Sequence, residues 1–130
     1  MVKTAIGKFR YMDGSGMDDG SLWIVHNLAD GESYCGEFRS DKEAEAACLR
    51  WANAGAEVVR IKWTAPPANA PDSDRGEYLV YVEGSRWKKR ATHGWGAMES
   101  AARISRGIRE AIVKHGLQAV IETLNAASAE

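Results

Sequence analysis

The sequence predicts an α+β fold in which a mainly antiparallel sheet carries helices packed on one face. Three observations predict this class. Short segments alternate apolar and polar residues with period two, glycine-containing turns of hairpin length separate them, and two longer segments carry apolar residues at helical spacing. Hairpins give antiparallel pairing, and an amphipathic helix buries its apolar stripe against a sheet face.

The chain has 130 residues, of which 45% are hydrophobic and 27% charged, as is typical of one globular domain. We expect a single α+β domain over 1–130. It would consist of one strand–hairpin–helix unit at 1–55, a second unit at 57–116 and a short C-terminal helix at 117–125. The stretch 65–76 holds all three prolines. It is expected to be a mobile loop, because proline cannot donate a hydrogen bond to a strand ladder.

The first unit begins with strand-like segments. Residues 2–11 alternate on two phases around Gly7, and a glycine within a strand pattern indicates a bulge. Residues 22–28 and 33–38 then read as a hairpin around Asp30 and Gly31, which form a strong turn signal.

A capped helix completes the first unit. Ser40 and Glu43 have the capping-box spacing, and Ala44, Ala47, Cys48 and Trp51 follow on one stripe. Trp51 is therefore predicted to fill the core, and the Cys48 thiol to be buried and inert. Gly55 is suited to end the helix.

The second unit contains the segments that concentrate the positive charge. Residues 57–64 and 77–83 alternate as strands, and the turn Gly84-Ser85 leads into a basic strand at 86–92. Apolar residues occur on both faces of 77–83, which predicts a strand that is central in the sheet or covered on both sides. The glycine-rich loop 93–96 precedes a long helix that begins at Ala97 and ends before Gly116.

The two units share one plan, which predicts a pseudo-repeat of strand, hairpin and helix. The strand–strand–helix part of each unit resembles in architecture the C-terminal half of double-stranded-RNA-binding domains. Those domains place a lysine cluster at the start of the helix, where this chain has Met98, Glu99 and Ser100. The resemblance therefore implies an arrangement of elements and carries no function over to this chain.

Charge is distributed unevenly along the sequence and indicates a binding surface. The net charge is −1, yet residues 86–115 hold eight Lys or Arg and two Glu, a local charge of +6. An uneven distribution of charge along the chain indicates which partners a protein binds rather than which fold it adopts. The predicted partner-binding residues are cations and aromatics of this stretch: Arg86, Trp87, Lys88, Arg90, His93, Trp95, Arg103, Arg106 and Arg109. The alternative is that these cations only neutralise the acidic N-terminal part.

Catalytic and metal-binding signatures are missing from the sequence pattern. The cysteines and histidines are scattered, with no CxxC pair and no nucleophile–base signature, so no catalytic residue, metal site or cofactor is predicted. The backbone amides of the loop at 93–96 could bind a phosphate. A small enzyme with an anion site at this loop is therefore the least favoured of the three hypotheses.

We therefore expect a non-catalytic binding module that acts as a small regulator or inhibitor. It would dock on a larger protein or protein–nucleic acid assembly, with a protein as the partner. The alternative is a protein that binds nucleic acid directly through the basic patch at 86–109, with Trp87 and Trp95 stacking on bases. Two unpaired cysteines and the absence of a long apolar run predict a cytoplasmic protein without a membrane span.

Overall fold

The computed structural model describes residues 3–14, 22–74, 76–91 and 96–128, and it has the predicted α+β class. Seven strands and three α-helices occur within these ranges. The strands are β1 (Lys3–Ile6), β2 (Phe9–Asp13), β3 (Trp23–Asn27), β4 (Ser33–Phe38), β5 (Val59–Thr64), β6 (Glu77–Val82) and β7 (Lys88–Ala91). The helices are α1 (Asp41–Asn53), α2 (Ala97–His115) and α3 (Leu117–Ser128).

The strands form two antiparallel sheets rather than one. The first sheet has the order β1-β2-β3-β4 and the second has the order β5-β6-β7, so each is a simple meander. Helix α1 packs on the first sheet, α2 contacts β4 and all three strands of the second sheet, and α3 packs on α2. The predicted packing of helices on sheets is therefore confirmed, and β6 is the predicted central strand.

The N-terminal segment differs from its prediction. Residues 2–11 were expected to form one bulged strand, but Gly7 lies in a turn that separates β1 from β2. Gly7 has φ +58°, and a Cβ atom there would lie 2.8 Å from the Ala52 Cβ of α1. Glycine is required because the turn is left-handed and lies against the helix. The first sheet thus has four strands and the second three, and the pseudo-repeat is not confirmed.

Helix α1 begins at the predicted cap, with one change in the bonding. The Glu43 N–H donates to the Ser40 Oγ at 3.2 Å, and the Glu43 Oε2 accepts from the Arg39 N–H at 3.1 Å instead of from Ser40. Ala44, Ala47, Cys48 and Trp51 are buried, as the helical stripe predicts. Both cysteines are buried and unpaired, which confirms the predicted burial of Cys48 and the expectation that the two cysteines are not paired.

The two sheets meet at a buried polar joint instead of a strand ladder. The Asn27 Nδ2 donates to the Val59 carbonyl oxygen at 3.0 Å, and the Ile61 N–H donates to the Asp30 Oδ2 at 2.8 Å. Arg109 of α2 donates from its Nη2 to the same Val59 oxygen at 2.6 Å. Side chains thus form hydrogen bonds with the backbone groups on the edge of β5 that faces the first sheet. Buried backbone N–H and C=O groups require such partners.

The loop that connects β5 to β6 was expected to be mobile and dispensable for folding, and this stays a prediction. Its end is nevertheless packed. Gly76 has φ +93°, and a Cβ atom there would lie 2.4 Å from the Thr64 carbonyl oxygen and 2.6 Å from the Trp63 Nε1. Any shortening of the loop should therefore leave Gly76 in place.

Candidate functional site

The second sheet has one face covered by α2 and one face that no described helix covers. Val80 and Val82 of β6 are buried on the covered face, whereas Leu79 and Tyr81 point the other way and are partly exposed. Residues that lie directly opposite each other on neighbouring strands share a face. The strand register therefore identifies what surrounds Leu79 and Tyr81.

Two rows of side chains cross this open face. Arg60 and Lys88 are the partners of Tyr81 on β5 and β7, and Lys62 and Arg90 are the partners of Leu79. Each apolar side chain of the central strand is thus flanked by a cation on either side. We call this surface the basic face, and it comprises Arg60, Lys62, Leu79, Tyr81, Lys88 and Arg90.

Two carboxylates border the basic face and pair with its arginines. Arg90 Nε lies 3.0 Å from the Glu77 Oε1, and Arg60 Nη2 lies 3.1 Å from the Glu83 Oε1. These pairs are partly exposed and add little stability, but they hold the two guanidinium groups close to the sheet. No carboxylate of the described residues lies within 4 Å of either lysine of the face, so their charge is not neutralised locally.

The strand residues expected to bind a partner are only partly brought together. Lys88 and Arg90 lie on the basic face, and Arg86 is exposed in the turn before β7, where its N–H donates to the Asn125 Oδ1 of α3. Trp87 is partly buried and packs against the hydrophobic core, so its ring does not join the cations of the face. His93 and Trp95 lie outside the described residues.

The helix arginines are separated from the basic face, because α2 covers the opposite side of the second sheet. Arg103 is exposed, and Arg106 lies with its Cζ 4.3 Å from the centre of the Phe38 ring in the first sheet. The strand cations and the helix cations therefore lie on different sides of the second sheet. The basic patch expected over 86–109 is not one continuous surface.

Arg109 needs a correction, since it is a core residue with no exposed surface. Its Nη1 donates to the Ser105 Oγ at 2.9 Å, its Nη2 donates to Val59, and its Cζ lies 5.6 Å from the centre of the Trp51 ring. A side chain in this position cannot contact a partner. Its role is to tie α2 to the joint between the two sheets.

The site predicted from the sequence did not include four residues of the basic face: Arg60, Lys62, Leu79 and Tyr81. Arg60 and Lys62 alternate with Val59 and Ile61, which indicates one polar face of β5, but the period alone does not show which strand lies beside it. The pairing of β5 with β6 places Arg60 opposite Tyr81 and Lys62 opposite Leu79.

The buried thiols do not form a reactive site. Burial raises the pKa of Cys35 to about 11, and burial likewise raises the pKa of Cys48 to about 12, so both are protonated at neutral pH. Within the described residues, no group of three His, Cys, Asp or Glu side chains could hold a metal ion. No described helix is both long enough and apolar enough to cross a membrane.

Depressions elsewhere on the described surface include a groove and a cleft. A groove of about 600 Å³ lies between α2 and α3 and is lined mostly by apolar side chains, among them Ile104, Ile108 and Leu124. A cleft of about 330 Å³ lies between the β3–β4 hairpin and the second sheet and includes His26, Trp63 and Tyr78. Neither depression carries a concentration of one charge comparable to that of the basic face.

Comparisons with protein-family models, with curated proteins and with solved structures find no match to this chain.

Proposed function

We propose that this protein is a non-catalytic binding module that docks on a negatively charged partner through its basic face. One observation carries the proposal: four cations flank Leu79 and Tyr81 on a sheet face that no described helix covers. Glu83 and Glu77 already pair with Arg60 and Arg90. Lys62 and Lys88 would be costly to bury without counter-charges, which an anionic partner would provide. The apolar side chains between the cations add contact area.

The more specific expectations belong to this proposal. A module of this size that lacks a predicted catalytic signature would act as a regulator or inhibitor by occupying a surface of a larger assembly. We place it in the cytoplasm, where two unpaired thiols stay reduced. Three of the four residues of the loop at 93–96 lie outside the described ranges, so the hypothesis that this loop binds phosphate rests on the sequence alone.

Immobilised heparin, a polyanion, tests whether the basic face binds negative charge. We expect the wild-type protein to be retained at low salt and the variant Lys62→Glu/Lys88→Glu to elute in the flow-through. Both lysines are exposed, so the melting temperature should stay nearly unchanged. The matched control is Lys42→Glu/Lys114→Glu, which changes the net charge equally at exposed positions on α1 and α2.

The control variant is expected to elute close to the wild type. If wild-type protein is not retained, or if both double variants lose retention equally, the basic face is not an anion-binding surface and the proposal is wrong.

A further inference from the structure

Resting on the proposed function, we infer that the anionic partner of the basic face is a single-stranded nucleic acid. Tyr81 lies at the centre of this face, and its directly opposite neighbours are Arg60 and Lys88. Proteins that bind single strands combine aromatic rings, on which bases stack, with cations that follow the backbone. The row Arg60–Tyr81–Lys88 places both features side by side.

The second row repeats the arrangement one step further along the central strand. Leu79 is two residues from Tyr81 and is flanked by Lys62 and Arg90. Two residues correspond to about 7 Å along a strand, and neighbouring strands lie about 4.8 Å apart. A strand of nucleic acid that runs along β6 would therefore meet an aromatic ring, an apolar side chain and cations on both sides within a short distance.

The width of the sheet argues against a duplex. Three strands spaced about 4.8 Å apart place the outer strand axes about 10 Å apart, before the long cationic side chains are added. The major groove of B-DNA is about 12 Å wide and admits a helix or a two-stranded ribbon. Bases within a duplex are also stacked on each other, so they do not offer a free ring face to Tyr81.

The small size of the face argues against an acidic protein surface. The basic face has six residues, whereas a standard protein interface uses about 20–30 residues on each side. Single-strand sites of about four or more nucleotides are compatible with a small surface of this kind.

Fluorescence anisotropy with three labelled nucleic acids and one labelled peptide tests the inference. The probes are a 20-nucleotide oligothymidylate, a 20-nucleotide oligouridylate, a 20-base-pair DNA duplex and a polyglutamate peptide. We expect both single strands to bind more tightly than the duplex and the peptide. Affinity should fall as the salt concentration rises, and each phosphate contact should add about 0.7 to the magnitude of the slope of log affinity against log salt concentration. The variant Lys62→Gln/Lys88→Gln should therefore lower the magnitude of that slope by about 1.4.

Substitutions at Tyr81 separate stacking from charge. Tyr81→Leu keeps an apolar side chain on the sheet but removes the ring, and we expect it to weaken single-strand binding by about 5- to 100-fold. Tyr81→Phe keeps the ring and should bind within about twofold of the wild type. Neither change alters the charge, so the salt slope should stay the same in both variants. Circular dichroism and thermal melting check that the variants remain folded.

The outcomes distinguish this inference from the proposed function. Equal or tighter binding of the duplex, or full affinity in Tyr81→Leu, would overturn the single-strand inference and leave an anion-binding face. Preferential binding of polyglutamate would overturn it in favour of an acidic protein partner. If none of the four probes binds and heparin does not retain the protein, both the inference and the proposed function are wrong.

Discussion

Replacing Trp51 with alanine should remove the largest fully buried side chain of the described core. The indole ring lies 5.4 Å from the Phe9 ring and 6.0 Å from the Phe38 ring, measured between centroids. A tryptophan of this kind buries about 150–250 Å², which at about 25 cal/mol per Å² corresponds to about 4–6 kcal/mol. Alanine keeps a small part of this burial, so we expect Trp51→Ala to lower the free energy of unfolding by about 3–5 kcal/mol.

Urea unfolding followed by far-ultraviolet circular dichroism measures this loss without relying on tryptophan fluorescence. The melting temperature should fall by roughly 10–20 °C for a chain of this size. Trp63→Ala is the comparison variant, because Trp63 is 54% exposed and its replacement should lower the free energy of unfolding by only about half as much. If Trp51→Ala unfolds within about 1 kcal/mol of the wild type, or if both variants lose equal stability, the assignment of Trp51 to the core is wrong.

Two further predictions concern buried polar groups. Arg109→Ala should lower the free energy of unfolding by about 2–4 kcal/mol, because it removes two hydrogen bonds from a charged group and a packed aliphatic stem. Arg103→Ala, at an exposed position of α2, should cost less than about 0.5 kcal/mol, and urea unfolding that finds equal effects would contradict the burial of Arg109. Cys35 and Cys48 should not react with a thiol reagent at pH 8 until the protein is unfolded, because burial raises their pKa to about 11 and about 12. Rapid labelling of the native protein at pH 8 would contradict the burial of these thiols. In unfolded chains the thiols ionise near pH 9, so their contribution to stability is complete below pH 9. It is lost as the pH rises through about 11 for Cys35 and about 12 for Cys48.

Local patterns in the sequence determined the elements themselves. Period-two alternation located the strands of both hairpins, and the spacing of Ser40 and Glu43 located the start of α1. The stripe of α1 identified Trp51 and Cys48 as buried. These features could be predicted because side-chain direction and capping depend on backbone geometry within a few residues of the chain.

The burial of Arg109 shows that the spacing of residues along a helix does not by itself predict which side chains are exposed. Arg103, Arg106 and Arg109 were all predicted to bind a partner, but at about 100° per residue Arg109 lies about 120° from Arg103 around α2. It falls on the side of Ala102 and Ser105, which are also buried. The buried arc of α2 is wide because the helix contacts both sheets, and the sequence does not reveal this second contact.

The sequence by itself determined the α+β class, the capped helix, the unpaired thiols and the cationic character of β7. Only the tertiary structure decided that the strands divide into two sheets, that Gly7 separates two strands and that Arg60 and Lys62 lie opposite Tyr81 and Leu79. The physical reason is the range of the interactions. Periodicity reports which way a side chain points, whereas its neighbours across a sheet depend on strand pairing between residues that lie far apart in the chain.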